Sequence, residues 1–174
     1  MVISPLPWGM HMLIKDTLRD ISNDARGWLT YWTRDFSEAD ARTGGTGDDR
    51  PNPLAWQLGH IACVEDEVGW LFGGAGRLAP SELQSVCSTG SPPPSGSTAF
   101  PTLEQHWALL NATHARLLEL LGGAGEEDLA RPPRQPNPYF RSLGQAVYEA
   151  ALHEAYHVGE IAALRKSLGK ARIG

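Results

Sequence analysis

Four stretches of the chain repeat apolar side chains at a spacing near 3.6 residues, and none shows the strict alternation of a half-buried strand. The first runs from about Trp8 to Phe36, with Met10, Ile14, Thr17, Ile21, Ala25, Trp28 and Trp32 on one stripe. The second starts at Asn52-Pro53, read as an N-cap with proline at the first helical position, and stops at Gly73-Gly74. Its stripe is Leu54, Leu58, Ile61, Val64, Val68 and Phe72. The third opens on a capping box, Thr102 to Gln105, ends at Gly122-Gly123, and aligns Leu103, Trp107, Leu110, Leu117 and Leu121. The fourth opens on a second box, Ser142 to Gln145, and runs to Leu168-Gly169. Such helices must bury their stripes against one another, which predicts an all-α four-helix bundle forming one domain over residues 1–174.

The connections differ. About fifteen residues separate the first two helices, including a run rich in glycine and aspartate from Thr43 to Asp49. Nearly thirty, from Gly73 to Pro101, separate the second and third; with Pro92-Pro93-Pro94 and its serine and glycine neighbours, this stretch reads as too polar for a core element. Its length permits a crossover, so helices two and three need not be antiparallel neighbours. The last connection carries Pro132-Pro133 and Pro136-Asn137-Pro138 and reads as a loop.

Composition narrows the function classes. A net charge of -5, with basic residues clustered only weakly near the C-terminus, argues against a nucleic-acid partner. No apolar run approaches spanning length, so no membrane partner is expected, and the default location is cytoplasmic. Two cysteines, Cys63 in a helix and Cys87 in the polar linker, lack metal-type spacing and do not indicate a disulfide.

The fourth helix breaks its own pattern. On a wheel, Leu143, Ala146, Ala150, Ile161, Leu164 and Leu168 share a narrow sector, and His153 and His157 sit in its middle. Glu160 lies at the edge of that sector and Glu149 slightly further round. Burying such groups unpaired costs roughly 1–3 kcal/mol each, so something must satisfy them. The i, i+4 spacing lets both imidazoles reach one ion. A third could come from His60, on the flank of the second stripe, or from His114, which is better centred on the third. Three histidines would leave a coordination position open for water or substrate. A buried hydrogen-bonded network, with Glu65 as partner, is the rival, and a pH-sensing pair is a third reading. His106 and His11 read as surface or boundary residues. The string His153-Glu154-Ala155-Tyr156-His157 also fits the HExxH pattern with Glu154 as base, but no further ligand follows in the tail and no strand-rich half precedes it. No nucleophilic serine or cysteine stands beside a base.

Asn52-Pro53-Leu54-Ala55-Trp56-Gln57-Leu58-Gly59-His60-Ile61-Ala62, followed far downstream by His153-Glu154-Ala155-Tyr156-His157-Val158-Gly159-Glu160-Ile161-Ala162, resembles the DinB-like (YfiT-like) helical bundle family. The resemblance implies an up-down-down-up bundle and takes His60 over His114 as the third ligand. It implies one divalent ion, with zinc or nickel foremost, on His60, His153 and His157. Some members look like thiol S-transferases that use a low-molecular-weight thiol such as bacillithiol or mycothiol. Others are metal-dependent hydrolases or damage-inducible proteins. The expected function is activation of a bound thiol or water towards a small-molecule substrate, with Glu160 or Glu149 orienting an imidazole or accepting a proton. Trp56 and Tyr156 would line the mouth of the site. The alternative is a non-catalytic metal-binding stress-response or interaction module with a closed shell, and a homodimer is also expected.

Overall fold

The computed structural model describes residues 14–44, 51–91, 98–171 and 173. The expected start of the first helix at Trp8, with Met10 and His11, lies outside the described residues, as do 45–50 and Pro92–Pro94. Among the described residues all regular structure is helical, in seven segments: α1 (Ile14–Thr33), α2 (Glu38–Arg42), α3 (Leu54–Phe72), α4 (Ser81–Cys87), α5 (Leu103–Gly123), α6 (Glu126–Ala130) and α7 (Leu143–Ser167). The four long helices are the four expected ones. None is long and apolar enough to cross a membrane.

Local chemistry sets the helix ends. Thr102 caps α5 through the Gln105 amide at 3.2 Å, while the Gln105 side chain accepts from the Thr102 amide at 2.9 Å. At α7 the Ser142 hydroxyl caps the Gln145 amide, but the return bond from Gln145 goes to the Arg141 amide at 3.0 Å, so the second box is only half formed. At α3 the cap is Pro53 rather than Asn52, whose carbonyl instead accepts from the Gln57 side chain.

Helix α3 is central. Fifteen of its nineteen residues are buried, so apolar side chains surround it rather than forming one stripe. It packs against α5, α7, α4 and α2, while α1 packs mainly on α7. One apolar cluster joins Leu18 and the start of α7 (Leu143, Val147) to the ends of α3 (Leu71, Phe72) and α5 (Leu117, Leu121). A second joins Leu29 and the end of α7 (Ile161, Leu164) to the first turns of α3 (Leu54, Leu58) and to Leu110 of α5.

Two expectations fail here for identifiable reasons. The α1 periodicity points Ile14, Ile21 and Trp28 inward, yet they are 67%, 38% and 61% exposed. The buried face keeps Ala25 from that stripe and is otherwise Leu18, Ser22, Arg26, Leu29 and Thr33. Polar residues occupy the core side because each is satisfied there: Ser22 and Thr33 donate to the carbonyls of Leu18 and Leu29 four residues back. Arg26 donates to Glu154 at 2.7 Å, to Glu65 at 2.8 Å and to the Leu110 carbonyl at 2.8 Å. The second correction is the linker after Gly73. It contains α4, which buries Leu83 and Cys87 against Cys63 and Ala79. Buried Asp66 anchors the linker from α3, accepting from the Leu78 and Ala79 amides and from Arg77 and Arg116.

Candidate metal centre

Helix α7 presents His153 and His157 one turn apart, and α3 brings His60 across to meet them. Their ring centroids lie 4.6 to 5.1 Å apart. The contacts run through the Nε2 atoms: His60 to His153 at 3.1 Å and His153 to His157 at 3.2 Å. One ring nitrogen from each residue falls within 4.8 Å of the other two, and among the described residues no fourth histidine, cysteine or carboxylate joins the set. Nitrogens on a tetrahedral zinc, bonded at about 2.0–2.1 Å, stand roughly 3.3 Å from one another. The His60–His153 and His153–His157 distances, 3.1 and 3.2 Å, match that spacing.

The protonation chemistry of the three rings also suits an ion. His60 Nδ1 is 2.5 Å from the Cys87 carbonyl oxygen and donates to it, which fixes the tautomer and leaves Nε2 with a lone pair. Burial lowers all three imidazole pKa values, that of His153 to about 4 and that of His157 to about 3, with the neighbouring rings adding to the effect in those two. The rings are therefore neutral at pH near 7. Three neutral rings whose Nε2 atoms converge cannot all be satisfied by one another. If His153 Nε2 donates to His60, it has no lone pair for His157. A cation accepts all three lone pairs at once, so the donor set fits a divalent ion.

The surroundings hold the rings in place. Trp56 stacks on His60 with centroids 4.7 Å apart and donates from Nε1 to the Val86 carbonyl at 2.9 Å. Both carbonyls that tether this end of α3 thus come from the last turn of α4. Helix α4 comes so close because residue 59 is glycine. A Cβ there would lie 2.7 Å from Cys87 Sγ, 3.2 Å from Leu83 Cδ1 and 3.3 Å from His106 Cε1. Glu160 places Oε2 2.8 Å from His157 Nδ1, although out of line for a hydrogen bond, and accepts from the Tyr156 hydroxyl at 3.2 Å. Tyr156 is exposed, 5.4 Å from the His157 ring. His153 Nδ1 is buried without a partner.

Several expected residues lie elsewhere. His114 stays out of the cluster: its Nδ1 is 3.1 Å from Glu65 and its Nε2 3.3 Å from Asn23. Glu65 pairs with Arg26, Thr113 and His114, not with the three clustered histidines, which removes it as the partner in a hydrogen-bonded alternative. Glu154 is 1% exposed and committed to Arg26, so the HExxH reading has no free base. Glu149 is half-buried on the α7 face leading to His153, and its carboxylate has no hydrogen bond or ion pair among the described residues. His106, expected at the surface, is 1% exposed beside Gly59, with neither ring nitrogen hydrogen-bonded. Its pattern was available: 106, 110, 113, 117 and 121 fall on one side of a helix, and that is the buried side of α5.

The α4 carbonyls and Gly59 were the features hidden from sequence reasoning, because they depend on a short helix whose composition looks like linker. The remaining geometry rests on the WQLGH stretch of α3 and the HEAYH stretch of α7. No curated protein matches the chain. The model of the DinB superfamily matches residues 25–161, a span that takes in both stretches and all three clustered histidines, and the chain belongs to that superfamily.

Proposed function

We propose that this protein is a divalent-metal-dependent enzyme that activates a thiol or a water molecule for attack on a small-molecule substrate. The observation that carries the reading is the convergence of three neutral imidazoles, those of His60 and His157 buried and that of His153 partly so, with no fourth protein ligand among the described residues. A divalent ion on three imidazoles, with a position left open, lowers the pKa of a thiol or water bound there and supplies a nucleophile near neutral pH. His60, His153 and His157 would hold it, with zinc or nickel suited to the imidazole set.

The chain's own residues do the rest. The Cys87 carbonyl fixes the tautomer of His60, and Trp56 covers that ring from one side. Glu160 stands 2.8 Å from His157 Nδ1, out of line for a hydrogen bond, so it acts on that ring through its charge; burial raises its carboxyl pKa against the opposing bond from Tyr156, which suits a group that exchanges a proton. Transfer to or from a low-molecular-weight thiol is the leading activity, and hydrolysis is the variant in which water takes the thiol's place. The closed-shell alternative requires a fourth protein ligand, His114 or a glutamate; His114 is engaged with Glu65 and Asn23, and no carboxylate joins the three rings among the described residues.

The four long helices are read as an up-down-down-up bundle within one domain, since the two apolar clusters pair the starts of α1 and α7 with the ends of α3 and α5, and the reverse. The exposed side chains of Ile21, Trp28, Tyr148 and Leu152 on the α1–α7 face are the surface on which a homodimer would form. Two free, buried cysteines accord with a cytoplasmic location.

The test is an assay of metal-loaded protein, purified without a histidine tag, against glutathione, bacillithiol and mycothiol with a chromogenic electrophile, and against activated esters with water alone. Metal-dependent turnover that disappears in His157→Ala is expected. Absence of metal-dependent turnover across both sets would overturn the proposal.

A further inference from the structure

Two cavities open onto His60, and they differ in character. One, of about 310 Å³, lies on the Trp56 side and is walled by Asn52 and the Ser88–Ser91 segment, with no charged side chain among the described residues. The other, of about 250 Å³, is bounded by His60 and His153 at one end and by Val64, Val68, Phe140 and Ala146 along its walls. Among the described residues Glu149 is its only charged lining residue. A larger cavity of about 600 Å³ elsewhere on the molecule is walled by Gly73, Arg116 and Arg131 and contains none of the three histidines.

An apolar cavity near the small end of ligand-pocket size, carrying one or two convergent polar groups, is the usual form of a small-molecule site. Glu149 adds something specific. Its carboxylate is half-buried and pairs with no cation of the protein among the described residues. Among the described residues no lysine or arginine lines the cavity, so at the Glu149 end a cationic ligand group is drawn in and an anionic one repelled, while the ion proposed on the imidazoles would keep an ammonium away from the opposite end. Glu149 precedes His153 by one helical turn on the same face of α7, which places the charge about 6 Å along the helix from the imidazole.

We infer that the cavity between α3 and α7 binds a small amphiphilic amine, with its apolar body against Val64, Val68 and Phe140 and its ammonium group on Glu149. The inference depends on the proposed metal centre only for where the reacting atom of such a ligand would sit: at the imidazole end, opposite the ammonium. Glu149 is thereby a specificity-determining residue, distinct from Glu160 at His157. Thr89, shared by both cavities, offers a hydroxyl at the junction.

The experiment is isothermal calorimetry of phenethylamine and of the neutral phenethyl alcohol, on metal-free and on cobalt-loaded protein, near neutral pH. Wild type is expected to bind the amine about tenfold more tightly than the alcohol, the size of one charge-assisted hydrogen bond. Glu149→Gln should bring the two within about twofold while leaving the visible cobalt spectrum unchanged. Val68→Trp, which fills the apolar wall, should weaken both probes. Equal affinities in wild type, no saturable binding of the amine, or a preference that survives in Glu149→Gln would each overturn the inference. Failure of the metal centre has a separate signature: no cobalt bands appear, while amine binding to the metal-free protein still decides the cavity assignment.

Discussion

Replacing Gly59 with alanine adds one methyl group at the contact between α3 and α4. The new Cβ would lie 2.7 Å from Cys87 Sγ, with Leu83 Cδ1 and His106 Cε1 at 3.2 and 3.3 Å. To reach an ordinary contact near 3.5 Å, α4 must withdraw by about 0.8 Å. Neither Cys87 nor His106 has room to turn aside, since both are essentially fully buried. Overpacking of this kind costs about 1–3 kcal/mol, and alanine returns about 0.8–1.0 kcal/mol of helix propensity over glycine. The net expectation is a loss of about 0–2 kcal/mol in urea unfolding. The functional loss is larger in proportion, because the carbonyls of Val86 and Cys87 move with α4 and release Trp56 and His60. Losing the group that orients a ligand histidine lowers metal affinity by about 10–100-fold, measurable by competition with a chromophoric chelator. Removing the obstructing sulfur in Gly59→Ala/Cys87→Ala should recover much of both losses, since the tether to His60 is a backbone carbonyl. A Gly59→Ala protein as stable as wild type with unchanged metal affinity, or a double variant with purely additive losses, would refute the reasoning.

Other consequences follow from the same contacts. Arg26→Met leaves Glu65 and Glu154 buried without their shared cation and should cost about 3–5 kcal/mol by denaturant unfolding; a loss below about 1 kcal/mol would contradict the assigned pairing. Burial pushes the thiols of Cys63 and Cys87 up to about 12, so native protein at mildly alkaline pH should resist alkylation while unfolded protein reacts at both; rapid native labelling would contradict their placement. Burial lowers the His106 pKa to about 4, against about 6.5 in the unfolded chain, so the unfolded state binds more protons between those values and stability falls as pH drops through that window. His106→Leu should remove roughly 2 kcal/mol of the stability difference between about pH 7.5 and about pH 5, and an unchanged difference would place the ring in solvent.

Three of the four long helices could be read from residue spacing because their buried faces are mostly apolar, as at Leu110, Leu117 and Leu121 of α5. Helix α1 could not be oriented, since its inward face carries Ser22, Arg26 and Thr33 while Trp28 and Ile21 face outward. The reason is electrostatic: a guanidinium shared by two carboxylates from α3 and α7 makes the interior the better place for Arg26, and periodicity alone does not register a pairing across 39 and 128 residues. At the candidate site, spacing on α7 was enough to bring His153 and His157 together. The choice of His60 over His114 was not accessible to spacing, because His114 is the better centred of the two and only tertiary packing commits it to Glu65 and Asn23. The function of α4 stayed hidden for a different reason. A seven-residue helix with two buried side chains has too little pattern to stand out from a polar linker, yet its last carbonyls hold Trp56 and His60.

The central claim is that His60, His153 and His157 share one cation. The direct measurement is metal content by mass spectrometry on tag-free protein, as purified and after dialysis against zinc or nickel, in wild type and in His60→Ala, His153→Ala and His157→Ala. The account predicts one equivalent per chain in wild type, a visible cobalt spectrum on substitution, and loss of the ion in each variant. Wild-type protein that retains no ion after exposure to either metal, or variants that bind it as well as wild type, would contradict it.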